Sequence, residues 1–219
     1  QWAQYFPKPV AVVGATTERL ALRHLYRATQ FATISTSSAR ELADAGVAAD
    51  RIRVLDLGAD VVDPPAGVVR SSEPMFVVLG RLAPNKRPDL LLDHWAKVQP
   101  RVGGRLVFVG DGPEAERLRA RVRDEGLAGV EFAGRVGDEE KATLLAQAWL
   151  LVHAAEREGW GLAIIEAGHC ATPTLAYRVP GVQDAVVDGE TGVLVDSDAA
   201  FVDAWIDLAS DDEIGRAHV

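Results

Sequence analysis

From Met75 onward, short apolar runs and helix-length stretches alternate almost regularly, and this alternation constrains the fold more than any other feature of the chain. Strand candidates fall at 75–79, 105–109, 130–132, 149–152, 174–177 and 192–195. Helix candidates fall near 86–98, 113–125, 138–147, 161–170, 181–187 and 199–209. Repeated βα units of this length imply a parallel sheet with helices on both faces. A strand covered on both faces is apolar along its whole length, as these are. The expected class is α/β with a Rossmann-like sheet, in which ligands bind beyond the carboxyl ends of the strands.

Ahead of this array, residues 1–60 read as part of a second α/β segment. A strand is expected at 10–14, and Thr17 is expected to cap a helix reaching about residue 29. A strand at 31–35, a helix opening at Ser37 or Ser38 and closing at Gly46, and a strand at 52–55 follow. Gly14 reads as a structural turn, since no G-x-G-x-x-G surrounds it. Gly58, Asp60, Asp63, Pro64, Pro65, Gly67, Ser71, Ser72 and Pro74 are loop formers in quick succession. The expected division is a first segment at 1–60, a linker at 61–74 and a ligand-binding domain at 75–219. The chain begins at Gln1 and its one methionine is Met75, so a piece of a longer protein is expected.

The net charge is −9, from 23 basic and 32 acidic residues. That balance argues against nucleic acid or an anionic membrane as the main partner. Any anion site must therefore be local. Cys170 is the only cysteine, which leaves no disulfide framework and no cysteine metal cluster and fits a cytoplasmic setting. No apolar run approaches the ~18 residues of a membrane span, and no leader peptide is expected.

The chemistry concentrates after the 149–152 strand. Glu158-Gly159-Trp160-Gly161-Leu162 leads into a helix that carries Glu166. Gly159 and Gly161 allow close backbone approach to a ligand. The free amides of the helix's first turn suit a phosphate. Two carboxylates beside an anion site point to a ligand with phosphate at one end and hydroxyls at the other, such as a nucleotide sugar. The plain alternative is a solvated loop glutamate and a helix-surface glutamate. The 75–79 strand runs into Gly80-Arg81 and then Lys86, with Arg87 beside it. Arg81 and Lys86 stand on the same rim, either as a diphosphate clamp or as a solvated basic loop. Gly110-Asp111-Gly112-Pro113 reads as a strand-to-helix turn. The loop through Arg135 and Val136 is a candidate seat for a nucleobase. His153, before the acidic loop, could touch substrate, but reads first as a packed or surface histidine. No metal-ligand cluster is visible.

In combination these pieces resemble the family-4 glycosyltransferases, enzymes of the two-domain GT-B fold. The resemblance rests on Gly80-Arg81-Leu82 with Lys86, Val109-Gly110-Asp111-Gly112-Pro113 and Phe132-Ala133-Gly134. It continues through Glu158-Gly159-Trp160-Gly161 with Glu166 and Ala167, Ala171-Thr172-Pro173, Val179-Pro180-Gly181 and Asp188-Gly189-Glu190-Thr191-Gly192. It makes residues from about 75 to 210 similar to the family's donor-binding domain, and those around 35–60 similar to the last part of its acceptor domain. Ala155 stands where the family often carries a small hydroxyl residue. The resemblance implies that Arg81 and Lys86 contact the donor diphosphate, with Gly110, Gly159 and Trp160 among the further donor-binding residues. Glu166 would hold the ribose hydroxyls, Glu158 the transferred sugar, and the Gly161 and Leu162 amides a phosphate. It further implies retention of anomeric configuration without cofactor or divalent metal.

The expected function is therefore a retaining hexosyltransferase. It would move sugar from a UDP- or GDP-linked donor to a hydroxyl acceptor, whether carbohydrate, lipid or small molecule. Peripheral membrane contact is expected only of a complete protein. Two rivals remain: a non-catalytic nucleotide-sugar binding module, and a sugar-nucleotide epimerase or phosphorylase of the same fold.

Overall fold

The structure, a computed structural model, describes residues 6–55 and 58–210. Residues 1–5, 56–57 and 211–219, which the expected segments include, lie outside the described residues. The chain divides into two compact units, Gln1–Leu57 and Gly58–Val219.

In the first unit, helix α1 (Lys8–Leu20) continues into a π-helical turn, Ala21–Leu25. Strand β1 (Phe31–Thr33), helix α2 (Thr36–Asp44) and strand β2 (Ile52–Val54) follow, and β1 and β2 pair in parallel. Ser35 caps α2 by accepting the Ser38 amide at 3.1 Å, two or three residues earlier than expected. The strand expected at 10–14 is helix instead. Pro9 in the first turn presets a helical φ, and Val12 and Val13 are exposed; among the described residues the sheet of this unit pairs only β1 and β2. Thr17 lies inside α1, where its hydroxyl donates to the Val13 carbonyl at 2.9 Å, so it caps nothing.

The second unit carries β3 (Met75–Leu79), α3 (Pro88–Val102), β4 (Arg105–Val109), α4 (Ala115–Glu125), β5 (Val130–Gly134) and α5 (Asp138–Gln147). It continues with β6 (Leu150–His153), α6 (Leu162–His169), β7 (Thr174–Tyr177), α7 (Val182–Ala185), β8 (Gly192–Val195) and α8 (Asp198–Ser210). The six strands are all parallel, in the order β5-β4-β3-β6-β7-β8. Winding runs outward from β3 to β5, then returns to β6 and runs the other way to β8. The reversal lies between β3 and β6, which puts their following loops side by side at the crevice where such sheets bind ligands.

Both faces are sealed. One face buries Phe76, Leu91, Trp95, Phe108, Phe201 and Trp205, drawn from the sheet, α3 and α8. Phe76 meets the Trp95 and Trp205 rings edge-on at 5.7 and 5.3 Å. The other face buries Met75, Val77, Leu145, Ile164 and Ala167 under α5 and α6. Because consecutive strand residues point to opposite faces, Met75 and Val77 serve one layer and Phe76 the other.

The expected linker stretch is fastened along this unit. Trp149 Nε1 donates to the Ser71 carbonyl at 2.8 Å, and Arg70 donates to the Ala171 carbonyl at 2.6 Å. His169 Nε2 lies 2.8 Å from Asp63.

Candidate active site at the switch point

Four loops meet at the carboxyl edge of the sheet, held by backbone contacts. Leu82 donates to the Asp111 carbonyl at 3.0 Å and Gly110 to the Gly134 carbonyl at 2.7 Å, which ties the loops after β3, β4 and β5 together. A Cβ on Gly110, whose φ is 129°, would meet the Gly80 carbonyl oxygen at 2.1 Å. That position admits only glycine. The loop after β6 is tied on both sides: Glu156 donates to the Asn85 carbonyl at 3.2 Å, and Glu158 to the Pro180 carbonyl at 3.1 Å.

Within this frame the side chains form two ion-paired sites. In the first, Lys86 bonds Glu158 Oε1. His153, buried at the end of β6, brings Nε2 to 2.9 Å from the same oxygen, although the ring N–H is out of line for a hydrogen bond. Burial raises the Glu158 pKa, but His153 and Lys86 outweigh burial and hold it below the ordinary value. Among the described residues, Oε2 of Glu158 has no protein donor. In the second site, Lys141 Nζ bonds Glu166 Oε1 at 2.8 Å and Asp138 at 2.9 Å. Oε2 of Glu166 is likewise left without a protein donor among the described residues.

Arg81 is exposed and makes no ion pair among the described residues. It lines a narrow cleft with Gly80, Lys86 and His153. Lys86 is not a solvated loop cation, because it is paired with a partly buried carboxylate from the loop after β6. Arg87 has a left-handed backbone, φ 52°, and lies over the Tyr177 ring at 5.2 Å. Tyr177 in turn donates to Asp198 at 2.7 Å and contacts His94 Nε2 at 2.8 Å.

Gly161, at φ 74°, starts α6, and no side chain caps this terminus. The first-turn amides at Leu162 and Ala163 are therefore open to an anion. Leu162 and Gly159 are exposed and Trp160 is half-buried. Arg135 is exposed, while Val136 packs on the core beneath α5. Pro113 precedes α4, which begins at Ala115.

His153, read as a packed or surface histidine that could also touch substrate, is both packed and beside Glu158. Lys141 is not singled out by the sequence. Its one signal is a lone cation after three acidic residues in the first turn of α5. A cavity of about 390 Å³ at the opposite edge of the sheet, near Thr174 and Gly192, contains none of the residues expected to bind the donor. Among the described residues, no group of three or more His, Cys, Asp or Glu side chains could hold a metal ion. No described helix is long and apolar enough to cross a membrane.

A parallel sheet with paired carboxylates, cations and open helix amides at its switch point defines a class of nucleotide-handling α/β proteins. Within that class, the chain belongs to the family described as Glycosyl transferases group 1, whose profile matches residues 63–218. It is 34% identical over 191 residues to the D-inositol 3-phosphate glycosyltransferase of Acidothermus cellulolyticus, a match covering 77% of this chain and 42% of that protein. Among solved structures it matches a Staphylococcus aureus TarM mutant crystallised with Fondaparinux, alpha-GlcNAc-glycerol and UDP. There the TM-score is 0.78 with 19% identity, over 91% of this chain and 41% of that one. Anabaena HepE in complex with UDP and glucose matches with a TM-score of 0.72 and 22% identity, over 92% and 59% of the two chains. The fold is thus that of GT-B glycosyltransferases, and the chain spans about two-fifths of the curated relative named here.

Proposed function

We propose that this chain binds the donor in a retaining glycosyltransferase that moves a hexosyl group from a nucleoside-diphosphate sugar to a hydroxyl acceptor. The observation that carries the reading is the repeated arrangement at Glu158 and Glu166: in each, a lysine ties down one carboxylate oxygen and leaves the other without a protein donor. A free carboxylate oxygen held in place accepts hydroxyl protons, as ribose and hexose both require. Arg81 and the open amides of α6 take the diphosphate.

In this scheme the bond between the anomeric carbon and the diphosphate oxygen breaks. The acceptor oxygen bonds to that carbon on the same face, and its proton passes to the departing diphosphate. Arg81, Lys86 and the α6 amides stabilise the charge growing on the leaving group. Glu158 fixes the hexose hydroxyls, and Glu166 fixes the ribose. We assign the reaction no metal and place it in the cytoplasm, a setting that fits a single, buried and unpaired Cys170. The UDP held by the TarM and HepE crystals supports a nucleoside-diphosphate donor.

The test titrates UDP, GDP and ADP and their hexose conjugates, then assays transfer to hydroxyl acceptors with the full-length protein. Glu158→Gln is expected to bind the bare nucleoside diphosphate as the parent does, to lose the distinction from the conjugate, and to lose transfer. Near-normal transfer by that variant overturns the role of Glu158. Binding without turnover by the parent favours the non-catalytic module.

A further inference from the structure

Lys141 lies on α5, 25 residues before Glu166, and its contact with that glutamate joins two neighbouring helices. It is the only cation on α5, whose first turn is Asp138-Glu139-Glu140. Its side chain is about one-fifth exposed, as is that of Glu166, whereas Asp138 is 71% exposed. The Glu166 contact is therefore the better shielded of its two ion pairs, and screening weakens it less. The backbone amide of Lys141 bonds the Gly137 carbonyl at 2.9 Å, which anchors it directly behind the loop of Arg135 and Val136.

We propose that Lys141 is a positioning residue for the donor ribose: its ammonium fixes one oxygen of Glu166 and leaves the other to the two vicinal hydroxyls. The inference rests on the reading of Glu166 as the ribose acceptor. A glutamate without such a tether samples several rotamers and loses that freedom when ligand binds. A tether removes the freedom beforehand, which is preorganisation of the binding group. Burial pushes the Lys141 pKa down, but Glu166 and Asp138 outweigh it and hold the ammonium in its charged form. Because the tether starts in the helix that follows the candidate nucleobase loop, it links the base seat to the ribose seat on α6.

The test compares calorimetric dissociation constants for whichever of UDP, GDP or ADP binds and for its 2′,3′-dideoxy analogue. The proteins are the full-length parent, Glu166→Ala, Lys141→Met and Lys141→Arg. The parent is expected to prefer the ribose form by about tenfold or more, and Glu166→Ala to lose that preference. Lys141→Met is expected to lose most of it through weaker ribose-form binding, with dideoxy affinity unchanged. Lys141→Arg is expected to keep it. A Lys141→Met protein that binds both forms equally less well, or that melts lower while keeping the preference, has lost only a structural ion pair and overturns the inference. A Glu166→Ala protein that keeps the preference overturns the ribose reading itself, and Lys141 with it.

Discussion

Lys86 and Arg81 stand in the same cleft in different electrostatic states, and that difference predicts unequal consequences of losing them. Arg81 is an exposed cation. Lys86 also neutralises Glu158, whose side chain is only 13% exposed. Lys86→Ala therefore removes one positive charge from the diphosphate's surroundings and leaves a carboxylate beside it less compensated. Its cost in nucleoside-diphosphate affinity is expected to be about 1.5–3 kcal/mol, as for a lost bond to a charged group, and to exceed that of Arg81→Ala. The double variant Lys86→Ala/Glu158→Gln is expected to recover part of the loss, and titration of all four proteins checks it. Glu158 also gives a pH signature. Its folded pKa is depressed, so its stabilising contribution is complete above the unfolded value of about 4.3 and is lost as pH falls through the folded value. Thermal unfolding between about pH 3 and pH 7 should show Glu158→Gln destabilised at the neutral end and the gap narrowing in acid. A gap of constant size across that range refutes the assignment.

At the scale of elements, the acidic loop owes its position to its neighbours. A Cβ on Gly181 would fall 2.0 Å from the Glu158 carbonyl oxygen, and Gly181 has φ 83°. Gly181→Ala is thus both strained and obstructed, with backbone on the other side that cannot swing away. It is expected to cost about 2–4 kcal/mol of stability and to weaken hexose-conjugate binding more than binding of the bare diphosphate, because Glu158 moves. Denaturant unfolding and paired titrations measure the two effects. The same dependence on neighbours explains what was legible in the sequence. Strands β3, β4, β7 and β8 were read to the residue because burial on both faces makes them continuous apolar runs. Residues 10–14 have the same Val-rich composition but lie in a helix, since composition alone does not say whether a sheet is there to receive them. As candidates, Glu158, Glu166, Arg81 and Lys86 were legible from local spacing and from the family resemblance. The pairing of Lys86 with Glu158, 72 residues apart, was not. Nor was the tether of Glu166 to Lys141, because packing of α5 on α6 creates it.

For the whole molecule, the problem is to bind an anion on a protein of net charge −9. A nucleoside diphosphate adds two to three further negative charges, and the proposed seat adds Glu158 and Glu166. One solution is Mg²⁺ shared between carboxylates and phosphates. The arrangement here is different: each glutamate is already matched by a lysine of its own, and in the proposed reading Arg81, Lys86 and the open α6 amides face the diphosphate. Asp111, whose side chain accepts the Gly112 amide at 2.8 Å, is a single carboxylate, and one carboxylate makes a poor metal site. Binding is therefore expected to proceed without divalent metal and to weaken as salt rises, because the compensation is local and partly solvent-exposed, and the Debye length shrinks from about 10 Å at 0.1 M to 3 Å at 1 M. Calorimetric titration of UDP and GDP, each with EDTA and with Mg²⁺ at low and high salt, separates the two solutions. Equal affinity with EDTA and with Mg²⁺, falling with salt, fits charge matching by side chains. Binding that vanishes with EDTA and returns with Mg²⁺ means that the metal carries the compensation. In that case Arg81 and the α6 amides are not the clamp, and leaving-group stabilisation must be reassigned to the ion.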